Sequence, residues 1–269
     1  MNEASVGHQC PECIAEGKRT QRPARTAFGG SGVGRAGYAT RALIGINVLV
    51  MVAGAIAGGA GALAGSGGWF GLLGGETPIS VWGEVLGYAS YTAGGPLHGV
   101  AAGEWWRLFT AMFLHYGVLH LLLNMWVLWQ LGRYLEDKLG PLRFVGLYLL
   151  AGFGGNVAAY VFTPQNQPAA GASTAVFGLI IAMIVVNRRL RLDITQLIPM
   201  LVINLIFTFS VPNISVAGHL GGLVVGGIVA AILAYAPPAR RALVQAVGCA
   251  AVFVILLTIA IARTMVLLG

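Results

Sequence analysis

Residues 144–187 read FVGLYLLAGFGGNVAAYVFTPQNQPAAGASTAVFGLIIAMIVVN, a run without Asp, Glu, Lys or Arg between Arg143 and Arg188. A helix that crosses a bilayer needs about 20 apolar residues, so the run has room for two. Thr163-Pro164-Gln165-Asn166-Gln167-Pro168 divides it, since prolines and amides mark a turn. Four more uncharged blocks lie at 42–75, 108–132, 194–239 and 242–262, and Val211-Pro212-Asn213 divides the one at 194–239. The pattern predicts seven spans, at roughly 41–63, 114–136, 142–163, 171–188, 194–210, 216–236 and 242–264.

Composition agrees with this reading. Only 9% of the 269 residues are charged and 57% are apolar, whereas a soluble domain carries about 25% charge. The expected fold is an all-α polytopic membrane helix bundle. Lys18, Arg19, Arg22, Arg25, Arg35 and Arg41 precede the first span. Arg133, Lys138 and Arg143 follow the second; Arg188, Arg189 and Arg191 follow the fourth; Arg240 and Arg241 follow the sixth. Fourteen of the sixteen basic residues thus fall on one side, and only Arg107 and Arg263 on the other. The positive-inside rule predicts a cytoplasmic N-terminus and an external C-terminus. The basic pI of about 9.7 is then a topology signal, and no nucleic-acid partner is expected. The first 40 residues lack an apolar core, so the first span is expected to direct insertion.

Residues 1–40 read as a polar, disordered tail. It carries His8-Gln9-Cys10-Pro11-Glu12-Cys13, whose spacing suits zinc but offers three ligands where a closed structural site takes four. Cys249 reads as packing in the last span. Residues 64–113 form a long external loop with Trp69, Phe70, Trp82, Tyr88, Trp105 and Trp106, for which short interfacial helices are expected.

Polar residues inside a membrane segment are costly and point to function. His120, Asn124, Ser173 and His219 all fall towards the outer half, on three different spans. Ser173, in Gly171-Ala172-Ser173-Thr174-Ala175-Val176-Phe177-Gly178, opens its helix, where free backbone N–H groups can hold an oxyanion; a simple helix cap is the alternative. Gly171 lets the backbone approach closely. Gly218, Gly222 and Gly226 recur every four residues beside His219, a face that admits a neighbouring helix through Ala175, Gly178 and Ala182. That contact would bring His219 within reach of Ser173, as the base for a nucleophile; an interhelical packing bond is the alternative. His120 and Asn124, four apart on one face, suit the rest of an oxyanion hole or a polar clamp. His115, one turn further out, reads as structural or rim. No carboxylate is expected at this depth, so the chemistry would use a dyad.

Taken together, Glu104-Trp105-Trp106-Arg107, His120-x-x-x-Asn124, the serine segment 171–178, and His219 with Gly222 and Gly226 resemble the rhomboid family of intramembrane serine proteases, over about Leu43 to Tyr235. The resemblance implies a rhomboid-like six-helix core (41–236), a cytoplasmic tail (1–40) and an additional C-terminal transmembrane helix (237–269), a six-plus-one form. It implies Ser173 and His219 as catalytic dyad, and His120, Asn124 and the Ser173 backbone as oxyanion hole. Phe177 would pack on the imidazole, and Trp106 and Arg107 would seat the outer loop. The HxCxxC segment resembles a truncated zinc-binding tail of some bacterial relatives. Thr174 departs from the family, where glycine often follows the serine, and this bears on the room around the oxyanion. The implied substrates are single-span membrane proteins cut near the outer face of a bacterial plasma membrane, without cofactor or metal. A non-catalytic rhomboid-like binder of membrane helices is the second reading and a small-solute transporter the third. The one-sided clustering of polar residues and the lack of an internal repeat speak against the transporter.

Overall fold

The computed structural model of the chain describes residues 2–3, 7–20, 25–31, 37–59, 76–211 and 214–269. Arg22, Arg35, Trp69, Phe70, Pro212, Asn213 and the end of the first expected span lie outside these residues. The long helices are α2 (Tyr38–Gly58), α5 (Val118–Leu139), α6 (Pro141–Phe162), α7 (Ser173–Leu190), α8 (Leu197–Ser210), α9 (Val216–Tyr235) and α10 (Arg241–Leu268). Before and between them lie α1 (Pro11–Thr20) and, in the loop, α3 (Pro78–Gly83) and α4 (Arg107–Thr110). The chain is therefore a polytopic helical membrane bundle.

Seven helices fall where seven spans are expected, but length and composition do not treat them alike. Among the described residues, five helices are long and apolar enough to cross a membrane: α2, α6, α7, α9 and α10 with its leading turn. A sixth counts only if residues 107–113 and α5, bent by 89°, form one span. The reason lies in what α5 carries: His120, Asn124, Gln130, Arg133, Glu136, Asp137 and Lys138 dilute its apolar character. The 14-residue α8 spans about 21 Å, short of a hydrocarbon core of about 30 Å.

α6, α7 and α9 pack on one another and form the centre. Their seam is lined by small residues. A Cβ on Gly226 would sit 2.6 Å from the Gly178 carbonyl oxygen, and one on Gly222 would sit 2.8 Å from the Thr174 carbonyl carbon. Backbone therefore meets backbone, an approach that only glycine allows. α5 passes directly into α6 through Gly140-Pro141, the proline occupying the first helical turn, where its missing N–H costs nothing. Glu136 of α5, itself buried, accepts from the Ala39 and Thr40 N–H groups and the Thr40 hydroxyl, all at 2.8 Å, and so caps α2, whose own N-cap Gly37 has no side chain to do it. α10 is stapled on by the ring pairs Phe153–Phe253 (5.3 Å between centroids) and Phe109–Phe253 (6.3 Å) and by the Tyr160–Thr264 hydroxyl bond of 2.8 Å. Cys249 packs beside the core.

The N-terminal segment differs from the disordered tail expected. Asn2–Glu3 pairs antiparallel with His8–Gln9, and α1 follows. Phe28 is buried in the core cluster, and its carbonyl accepts from Gln245 Nε2 of α10 at 3.3 Å. One aromatic residue in a polar stretch is a faint signal, and here it anchors the turn. The Cys10 and Cys13 thiols lie 2.9 Å apart and are free. Among the described residues no group of three or more His, Cys, Asp or Glu side chains could hold a metal.

Candidate active site

Ser173 is the first residue of α7. The chain reaches it through Gly171 at φ 144°, a left-handed backbone conformation that favours glycine. A Cβ there would lie 2.9 Å from His120 Cε1 and 3.2 Å from Ser173 Oγ, so the His120 ring and the serine hydroxyl both crowd this one point. The Gly171 N–H is held by the Ala111 carbonyl at 2.9 Å, and the Ala172 N–H points to His115 Nε2 at 3.4 Å. The first N–H groups of an α-helix, here those that open α7 at Ser173, have no acceptor within their own helix.

His219 sits in the first turn of α9, on the seam described above. Its Nε2 is 2.7 Å from Ser173 Oγ. Phe177, one turn beyond Ser173, stacks on the imidazole with centroids 4.3 Å apart and planes 19° from parallel. The remaining ring nitrogen, Nδ1, lies 2.9 Å from Thr208 Oγ1 of α8. The imidazole is thus held at both nitrogens and on one face.

His120 is oriented from the loop. The Tyr116 N–H donates to His120 Nδ1 at 3.3 Å, and the Tyr116 hydroxyl donates to Glu84 Oε2 at 2.6 Å. With Nδ1 accepting, Nε2 carries the proton and is the nitrogen beside Gly171. Asn124 is buried, and its amide donates to the His120 carbonyl at 2.9 Å, four residues back; one N–H of that amide is left for another acceptor. His115 is not at the rim: it is 5% exposed, edge-on to His120 with centroids 5.0 Å apart. The Thr174 side chain packs against α6: a Cβ on Gly155 would lie 2.6 Å from Thr174 Cβ, so the threonine fills the space that this glycine leaves.

The loop between α2 and α5 is built around Arg107, 2% exposed, which donates to Glu104 at 2.6 Å and to the Val81 and Glu84 carbonyls at 2.8 and 2.9 Å. Trp106 stacks on Trp82 at 5.5 Å. Burial works against the Glu104 carboxylate, but the His98 ring, the Gly99 N–H and Arg107 together hold its pKa below the ordinary value. Burial pushes the fully buried Glu84 the other way, against the bond from Tyr116.

Two residues that touch this region carry no sequence signal of their own. Thr208 is one threonine in an apolar helix. Glu84 is far from the site in sequence and reaches it only through Tyr116 once the loop has folded.

The chain was compared with proteins of known family. The model of the Rhomboid domain matches residues 102–236. The rhomboid protease GluP of Bacillus subtilis is 45% identical over 139 residues, covering 50% of this chain and 27% of GluP. The rhomboid-family protein YdcA of the same organism is 36% identical over 148 residues, covering 53% of this chain and 74% of YdcA. The inactive RHOMBOID-like protein 8 of Arabidopsis thaliana is 32% identical over 144 residues, 51% of this chain and 41% of that protein. The chain thus spans about a quarter of GluP and about three quarters of YdcA. The domain match runs from the later part of the loop between α2 and α5 to the end of α9 and so takes in every residue gathered around Ser173 except Glu84: on half its length and on the helices that carry the site, this chain belongs to the rhomboid family.

Proposed function

We propose that this chain is an intramembrane serine endopeptidase that cuts single-span membrane proteins near the outer membrane face through a Ser173–His219 dyad. The observation that carries the reading is the 2.7 Å approach of Ser173 Oγ to His219 Nε2, with Phe177 stacked on the ring. A hydroxyl that close to a neutral imidazole can pass its proton to Nε2 as Oγ attacks a carbonyl carbon. The tetrahedral oxyanion is then held by the Ser173 N–H, His120 Nε2–H and the free N–H of Asn124, each such donor being worth about a hundred- to a thousand-fold in rate. His219 returns the proton to the leaving amine, and water, deprotonated by the same ring, releases the acyl group. These steps require no metal or cofactor.

The substrate is a helix that unwinds locally at the cut, since a hydrogen-bonded helical peptide bond is not presented to Oγ. The N-terminus is cytoplasmic, the site faces outwards, and the host membrane is a bacterial plasma membrane; the distribution of basic residues supports this orientation. Residues 41–236 form a six-helix core, α10 is an added seventh span, and residues 1–40 are the cytoplasmic tail. The alternative, a non-catalytic binder of membrane helices, has a relative named inactive in its favour. Both dyad residues at bonding distance favour the enzyme.

The test is incubation of the purified chain in mild detergent with a model single-span substrate, alongside Ser173→Ala. Cleavage that Ser173→Ala abolishes, together with labelling of Ser173 by a fluorophosphonate, is expected. Cleavage that persists in Ser173→Ala removes the nucleophile.

A further inference from the structure

α8 is attached to the bundle in an uneven way. Its large side chains Ile198, Val202, Ile203, Ile206, Phe207 and Phe209 are 44–65% exposed, a surface suited to lipid. Thr208 is the one buried residue of the helix, at 1% exposure. Its hydroxyl is also the group that meets His219 Nδ1, at 2.9 Å.

The direction of that bond follows from the rest of the hydroxyl's partners. Thr208 Oγ1 lies 2.8 Å from the Asn204 carbonyl, which can only accept, so the hydroxyl proton goes there. A lone pair is left for His219, and the bond to Nδ1 then requires Nδ1 to carry the ring proton. A neutral imidazole so protonated has its lone pair on Nε2, the nitrogen facing Ser173 Oγ. The opposite tautomer would mismatch both ring nitrogens: Nε2–H against a hydroxyl that must give up its proton, and a bare Nδ1 against an oxygen with no proton to offer.

We infer that Thr208 is a positioning residue for His219: its hydroxyl oxygen, brought in by α8, selects the imidazole tautomer that can deprotonate Ser173. Among the long helices described, the one with the fewest buried residues carries the atom that selects the imidazole tautomer. This rests on the reading of Ser173 and His219 as nucleophile and base.

The experiment uses the full chain in bicelles, as wild type, Thr208→Val, Thr208→Ser, Ile203→Ala and Ser173→Ala. Thr208→Val keeps the shape and removes the acceptor. It is expected to lower kcat for the model substrate tenfold or more with KM changed less than twofold. Thr208→Ser is expected to recover most of the rate, and Ile203→Ala, on the lipid-facing side, to match wild type. Nitrogen NMR of the labelled His219 ring is expected to show a protonated Nδ1 and a bare Nε2 in the wild type, and a mixed or reversed population in Thr208→Val. Equal kcat in wild type and Thr208→Val, or an unchanged ring spectrum, overturns the inference. Absence of wild-type cleavage sinks the protease reading instead, and the ring spectrum, which needs no turnover, then decides the role of Thr208 alone.

Discussion

The backbone-to-backbone seam between α7 and α9 permits a matched pair of substitutions. Gly226 and Gly227 are adjacent on α9, yet a methyl group at 226 would lie 2.6 Å from the Gly178 carbonyl oxygen, whereas one at 227 would meet only Ile181 side-chain atoms at 3.5 and 3.8 Å. Ordinary contact begins at 3.4 Å, so Gly226→Ala must part the two helices by at least 0.8 Å, while Gly227→Ala fits as it stands. Overpacking of this kind costs about 1–3 kcal/mol. The separation also reaches the site, because Ser173 and His219 sit on the same two helices, in the first turn of each. Adding about 0.8 Å to the 2.7 Å Oγ–Nε2 distance carries it past the usual limit of about 3.0 Å for an O–H donor. SDS titration of the protein in mixed micelles, followed by tryptophan fluorescence, measures the first effect, and the rate of fluorophosphonate labelling measures the second. Gly226→Ala is expected to lose stability and to label at least tenfold more slowly; Gly227→Ala is expected to match wild type in both. Equal unfolding midpoints for the two variants would refute the argument from seam geometry.

Three further outcomes follow from the same coordinates. Glu136→Ala is expected to cost more stability than Glu136→Gln. The amide keeps one acceptor oxygen for the α2 N–H groups, and alanine leaves three donors without a partner, each worth about 1–3 kcal/mol when buried; equal losses by SDS titration would contradict the capping role. Glu104 is a carboxyl whose folded pKa is depressed, so its contribution is fully present above the unfolded value, taken as 4.5, and is lost as pH falls below that through the folded value. Fluorescence of the stacked Trp82 and Trp106 should therefore hold steady down to about pH 5 and change below it, and Glu104→Gln should remove the step; a step above about pH 6 would point to another group. Gly171→Ala places a methyl 2.9 Å from the His120 ring at a positive φ. It is expected to slow Ser173 labelling tenfold or more while the protein still elutes as a folded species in detergent, and unchanged labelling would mean that the segment is less constrained than it is drawn.

Much of this arrangement is legible in the sequence because membrane segments announce themselves by what they lack. The uncharged run from Phe144 to Asn187, broken at Pro164 and Pro168, becomes α6, a turn and α7. The four-residue recurrence of Gly218, Gly222 and Gly226 carries the approach of α9 to α7, and with it the juxtaposition of Ser173 and His219. Legibility ends where partners come from afar. Thr208 satisfies its own donor on the preceding turn, as threonines in apolar helices commonly do, so nothing in its neighbourhood distinguishes it. The Glu84–Tyr116–His120 connection needs the folded loop to exist. α5 and α8 read as ordinary spans from their boundaries, but polar side chains dilute one and length limits the other.

The Phe28 carbonyl and Gln245 Nε2, joined at 3.3 Å, are 217 positions apart. At about 5–20 residues per second, the ribosome adds the second of them roughly 10–40 s after the first. Until then the turn around Phe28 has neither its hydrogen-bond donor nor the arginine of α10 that reaches the Ala27 carbonyl. The turn around Phe28 therefore waits for α10 before it can be clasped, and a chain halted after α9 would leave that clasp open.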